Sequence, residues 1–151
     1  MSSTERAGSC NGAIFAGNGP APGWNAVAFE LSGGPSAAST ARRLLLASDV
    51  AVPTPVRDDV LLLVTELVTN AVRHGDVGPE RSLSVKLERQ RGWVRVEVAD
   101  PGAWVEPAPT VAGLDGGGGW GLVLVERIAD RWGIANREDS TCVWFELAVA
   151  A

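Results

Sequence analysis

A chain of 151 residues and 15.7 kDa, 46% hydrophobic and 21% charged, is long enough to bury one sizeable core and too apolar for general disorder. Its formal net charge of −5 argues against nucleic-acid binding through the phosphate backbone. A nucleotide site remains open to it, because such a site needs only local amides, a cation or one basic side chain.

Two cysteines, Cys10 and Cys142, make neither a disulfide scaffold nor a metal-ligand cluster. Cys142 falls in a strand-like run and is expected in or near the core. The chain has no run of about eighteen apolar residues, and no basic amino-terminal region leads into an apolar one. The expectation is therefore a cytoplasmic protein without a membrane partner.

Residues 1–24, rich in Gly, Ser, Ala, Asn and Pro, read as a flexible tail, and 25–151 as one domain. "WNAVAFEL" reads as a first strand, broken by "GGP". Ser36 is placed to cap the helix "AASTARRLLLAS". A second helix opens with Thr54 before Pro55, carries Asp58 and Asp59 near its positive end, and stops at Gly75. Val60, Leu61, Val64, Leu67, Val68, Ala71 and Val72 give it a broad apolar stripe at helical spacing.

"SLSVKLE" and "WVRVEVAD" alternate with period two around a turn-like "RQRG", the pattern of a hairpin covered on one face. That pattern, and the absence of a well-placed GxGxxG or GxxxxGK[ST], argues against a doubly covered dinucleotide-binding sheet. A Pro- and Gly-rich loop spans 101–119 and has the length of a functional lid. "GLVLVERIADRW" reads as a third helix, and "RWGIANRE" and "TCVWFELAV" as a second hairpin around Asp139 and Ser140. The sum is a two-layer α/β sandwich, with a mixed, mostly antiparallel sheet covered by helices on one face.

Glu66, Asn70 and His74 stand at successive steps of four along the second helix, with Arg73 beside them. Taken alone, they read more simply as a solvated flank than as a site. A carboxylate beside a carboxamide also suits phosphoryl transfer, the amide oxygen ligating Mg²⁺ and the carboxylate preparing the nucleophile, with Arg73 or His74 toward the phosphates. Asp100 in "ADPG" is either an acidic strand stop or an acceptor for an exocyclic amine such as that of adenine. "GGGGWGL", 116–122, is either a linker or a set of backbone amides opening a helix toward an anion.

At these segments the chain resembles the GHKL ATPase superfamily, which takes in gyrase, histidine kinases and MutL. Within it, the resemblance is to the anti-sigma-factor serine kinases of the RsbW type. "TELVTNAVRHG" is similar to the N box, "VEVADPG" to the adenine-binding acidic motif, and "GWGLVLVERIADRWG" to the glycine box and its helix. "STCVWFEL" is similar to the last strand pair, with Thr141 at the position of an adenine-holding threonine.

The resemblance implies a Bergerat-type ATPase fold that binds ATP and Mg²⁺. It makes Asn70 the metal ligand, Glu66 the general base, and Asp100, with Gly102, the adenine contact. Gly119, Gly121 and Leu122 become the phosphate-facing turn. It further implies a homodimer that phosphorylates a serine of an anti-anti-sigma (STAS) partner and sequesters a sigma factor. Where the family pattern has a second glycine, this chain has Trp104, which either stacks near the base or obstructs the pocket. That departure keeps open an alternative function: a catalytically weak nucleotide-binding module that sequesters a sigma factor or other partner.

Overall fold

The computed structural model describes residues 25–50, 52–74, 78–100, 120–137 and 140–150. The expected tail over 1–24, the loop over 101–119 with Gly102, Trp104 and Gly119, and the helix stop at Gly75 lie outside the described residues. The elements are β1 (Asn25–Ser32), α1 (Ala37–Ala47), α2 (Thr54–His74), β2 (Ser82–Gln90), β3 (Trp93–Asp100), α3 (Trp120–Ile128), β4 (Arg131–Arg137) and β5 (Ser140–Ala148). The strands form one sheet in the order β1-β2-β3-β5-β4, and all four neighbour pairings are antiparallel.

The apolar halves of the alternating strands face the helices. Leu83, Val85 and Leu87 of β2, Val94, Val96 and Val98 of β3, and Val143, Phe145 and Leu147 of β5 join one core. Val60, Leu63, Val64, Leu67 and Val68 of α2 enter that core from the other side. Helix α2, 21 residues and so roughly 31 Å long, lies against β3, β5, α1 and α3. It is the beam of the helical layer, and its broad apolar stripe is the reason: burial of one face, rather than propensity, holds a helix of this composition.

Three local expectations are modified. Ser36 is the N-cap of α1, yet its backbone is helical and its hydroxyl makes no capping bond; Ser39 Oγ instead donates to Ser36 O at 3.0 Å. The third helix ends at Ile128, not at Trp132. Asp130 N–H donates to Glu146 O at 3.0 Å, and the Asp130 carboxylate accepts from Ala148 N–H at 2.7 Å. These two bonds hand Arg131 and Trp132 to the edge strand β4. The polar face of the sheet also departs from the expected solvated surface: Glu88, Arg95, Glu97, Cys142 and Trp144 are all less than a tenth exposed.

On that second face Arg95 Nε donates to Glu97 Oε1 and Nη1 to Glu146 Oε1, both at 2.9 Å. The guanidinium lies 4.1 Å from the centre of the Trp144 ring. The ring lies across Gly133, its register partner on β4, where an added Cβ would fall 2.7 Å from ring carbon Cζ2. Gly133→Ala must therefore push the indole off its seat, and a loss of about 1–3 kcal/mol is expected in urea unfolding. Cys142 is buried, as its strand-like setting predicts, and is disulfide-bonded.

The β2–β3 hairpin reverses within Arg91 and Gly92, whose flanks Gln90 and Trp93 pair directly. Gly92 has φ +90° and open space where a side chain would stand. Gly92→Ala is consequently a test of backbone strain alone, with an expected loss of about 1–2 kcal/mol by thermal unfolding and an unchanged far-UV spectrum.

Candidate functional site

The carboxy-terminal half of α2 carries the polar residues. Thr65 and Thr69 hydroxyls donate back to Leu61 O and Thr65 O, each at 2.7 Å, so both are absorbed by the helix itself. Glu66 is half-buried and Asn70 is only 7% exposed, which excludes the simple solvated-flank reading for the carboxamide. Arg73 is exposed and lines, with Thr69 and Val72, a cleft of about 380 Å³ whose far wall is Gly34, Pro35 and Ala38 of the β1–α1 region. His74 is the last residue of α2.

Asp100 and Thr141 come together through the sheet. Asp100 ends β3, Thr141 is the second residue of β5, and the two are direct Cα partners across the ladder. They share the pleat face of Val98 and Val143, the face turned to the helices. Asp100 is 3% and Thr141 1% exposed, and each has an interaction partner. Among the described residues no buried side-chain nitrogen or oxygen lacks a hydrogen bond. A carboxylate and a hydroxyl side by side on an otherwise apolar face form an acceptor and a donor–acceptor in line, the set that recognises an exocyclic amine next to a ring nitrogen.

The remaining element is the start of α3, which packs against α2. Its first turn holds Gly121 and Leu122 and no acidic side chain, so no carboxylate within it offsets the positive end of the helix dipole. The Leu122 side chain is 3% exposed and belongs to the core, so anything it offers a phosphate comes from its backbone. No group of three or more His, Cys, Asp or Glu side chains placed to hold a metal occurs among the described residues. A single amide ligand such as Asn70 fits Mg²⁺, which keeps most of its shell as water and substrate phosphate oxygens. No described helix is long and apolar enough to cross a membrane.

The Arg95 network on the opposite face was hidden in the polar half of the β3 alternation. Its available signal is cross-strand charge: Arg95 stands opposite Glu88 on one side and Glu146 on the other.

An antiparallel sheet covered on one face by three helices, with a buried polar pair at the ends of two central strands, is the two-layer sandwich of the Bergerat-type ATPases. The family of the histidine kinase-like ATPase domain matches residues 32–147, and the chain belongs to that family. Membership implies nucleotide binding of the kind typical of GHKL proteins, ATP with Mg²⁺. A protein of Streptomyces coelicolor described only as uncharacterized is 34% identical over 86 residues, 56% of this chain and 81% of that one. Among solved structures, the RsbU and RsbW domains of Rv1364c from Mycobacterium tuberculosis superpose with a TM-score of 0.56 and 22% identity. That match covers 81% of this chain and 31% of the other, so this chain spans about a third of it, and the likeness is one of fold.

Proposed function

We propose that this chain is an ATP-dependent protein serine kinase and anti-sigma factor, acting as a homodimer on an anti-anti-sigma (STAS) partner. The observation that carries the reading is the direct pairing of two buried polar residues, Asp100 and Thr141, on the helix-covered face of the sheet. The donor and acceptor groups of the pair match the edge of adenine.

In this reading Asp100 accepts from the adenine amine and Thr141 supports it. The motif resemblance assigns Gly102 to the base and Gly119, Gly121 and Leu122 to the phosphates, with Arg73 and His74 on the phosphate side. Asn70 would hold Mg²⁺, which would supply positive charge beside the phosphate oxygens. Glu66 takes the proton from a serine hydroxyl of the STAS partner; the serine oxygen bonds to the γ-phosphorus as the bond to the β-phosphate bridging oxygen breaks, and ADP leaves.

Support for the partner class comes from the RsbW-type motifs and from the fold shared with the RsbU and RsbW domains. The test is transfer of label from γ-labelled ATP to a STAS-domain protein, run beside calorimetric titration with Mg-ATP. Label on a partner serine supports the kinase. Measurable binding without transfer supports the regulatory-module alternative that Trp104 keeps open, and no heat at millimolar nucleotide would remove both.

A further inference from the structure

Two large hydrophobic side chains of the helical layer stand in water: Leu46 of α1, 59% exposed, and Leu62 of α2, 40% exposed. Single exposed leucines are ordinary on a protein surface, but these two are placed together. Residues four apart share a helix flank, so Leu46 continues the flank of Ala38 and Arg42. On α2 the flank of Leu62 leads, seven and eleven residues on, to Thr69 and Arg73. Ala38 on one side and Thr69 and Arg73 on the other wall the cleft between the start of α1 and the end of α2. Each leucine therefore stands on the flank that forms one wall of that cleft.

The two helices run antiparallel, since the first turn of α1 meets the last turns of α2 and residues 48–53 join their other ends. From Ala38 to Leu46 is about 12 Å of helix, and from Arg73 back to Leu62 about 16 Å. The cleft and the leucines are thus the two ends of one groove. Its ends differ in character. The far end is apolar, while the cleft end carries the exposed Arg73 and, from α1, the exposed Arg42, with Arg43 on the outer side of that helix. Helix α1 contains no acidic residue, and among the described residues no ion pair engages these three arginines. Of the acidic residues on α2, Asp58 and Asp59 lie beyond the leucine end, and Glu66 is half-buried.

We propose that this α1–α2 groove docks a short acidic amphipathic helix of a partner protein. The apolar side chains of that helix lie between Leu46 and Leu62, and its carboxylates pair with Arg42 and Arg73. A helix in a groove presents its anchors on successive turns, and the groove is between two and three turns long. Charge decides the occupant. In a two-fold contact between copies a patch meets itself, and this one would bring arginines where carboxylates are needed. The groove lies on the flank of α2 turned toward α1, away from the Asp100–Thr141 pair, and the inference stands without the nucleotide reading.

The test uses the full chain and a fluorescein-labelled helical peptide with leucines at i and i+4 and glutamates at i+7, i+8 and i+11. A second peptide carries lysine in place of each glutamate. Fluorescence anisotropy is expected to show saturable binding of the acidic peptide, at least about tenfold tighter than that of the basic one and weakened by salt. Leu46→Ser and Arg42→Glu, both at exposed positions, are each expected to weaken it about tenfold with an unchanged far-UV spectrum. Amide shifts on titration are expected at Ala38, Leu46, Leu62 and Thr69. No saturation at millimolar peptide, equal affinity for the two peptides, or shifts confined to other surfaces would each overturn the proposal. So would sedimentation showing a dimer of the chain alone that Leu46→Ser dissociates, because a second copy would then fill the groove.

Discussion

Glu66→Gln is expected to slow label transfer to the partner serine by about 10²–10⁴-fold while leaving Mg-ATP affinity unchanged. The substitution keeps the shape and helix propensity of the side chain and removes only its ability to take a proton. Glu66 is half-buried on the flank of α2 and outside the apolar core, so the fold has no stake in its charge. Nucleotide affinity in the proposed site rests instead on Asp100, Thr141 and Asn70. The informative comparison is therefore with Asp100→Ala, which should weaken Mg-ATP binding in a calorimeter before it affects chemistry. Transfer by Glu66→Gln at the native rate would eliminate Glu66 as the base, whatever the binding data showed.

Arg95→Met is expected to lower stability by about 3–5 kcal/mol, read from the midpoint of urea unfolding. Methionine fills a similar volume, so the loss is electrostatic and not a cavity. Arg95 donates to Glu97 and Glu146 and lies on the Trp144 ring, with 9% of its side chain exposed. Removing it takes the guanidinium from the equally buried Glu97 carboxylate, and of the two arginines that pair with Glu146 it leaves the exposed Arg131 at 3.6 Å. An uncompensated buried charge costs more than the pair contributed, so Arg95→Met combined with Glu97→Gln should recover part of the loss. A variant within about 0.5 kcal/mol of native would mean that this face is wet.

The helix α2 and the β2–β3 hairpin were legible because their signals are local and periodic. Val60, Val64, Leu67, Val68 and Ala71 repeat at helical spacing, and Val94, Val96 and Val98 at strand spacing, over enough residues to exclude the other period. The end of α3 was not legible for the opposite reason. "ADRW" continues the helical pattern, and only the bonds from Asp130 to Glu146 and Ala148, some sixteen and eighteen residues away, turn it into a strand. Tertiary hydrogen bonds outcompeted a weak local preference there.

The candidate site divides along the same line. Glu66 and Asn70 could be picked out because helical geometry fixes their relation within one element, and Asp100 because an acidic residue closes an alternating run. The adjacency of Asp100 and Thr141 depends on β3 pairing with β5, across a crossover that skips β4. Without motif resemblance nothing in the spacing of 41 residues implies it.

By itself the sequence determined the layer architecture, because binary pattern dictates which side of each helix and strand must leave water, and its motifs carried the family. Only the tertiary structure decided that the charged side of the sheet is buried as well. Alternation separates two faces of a strand, but it says nothing of how far the second one is withdrawn from water. Arg95 and Trp144 come onto one face, and a dry one, only once β3 and β5 are paired.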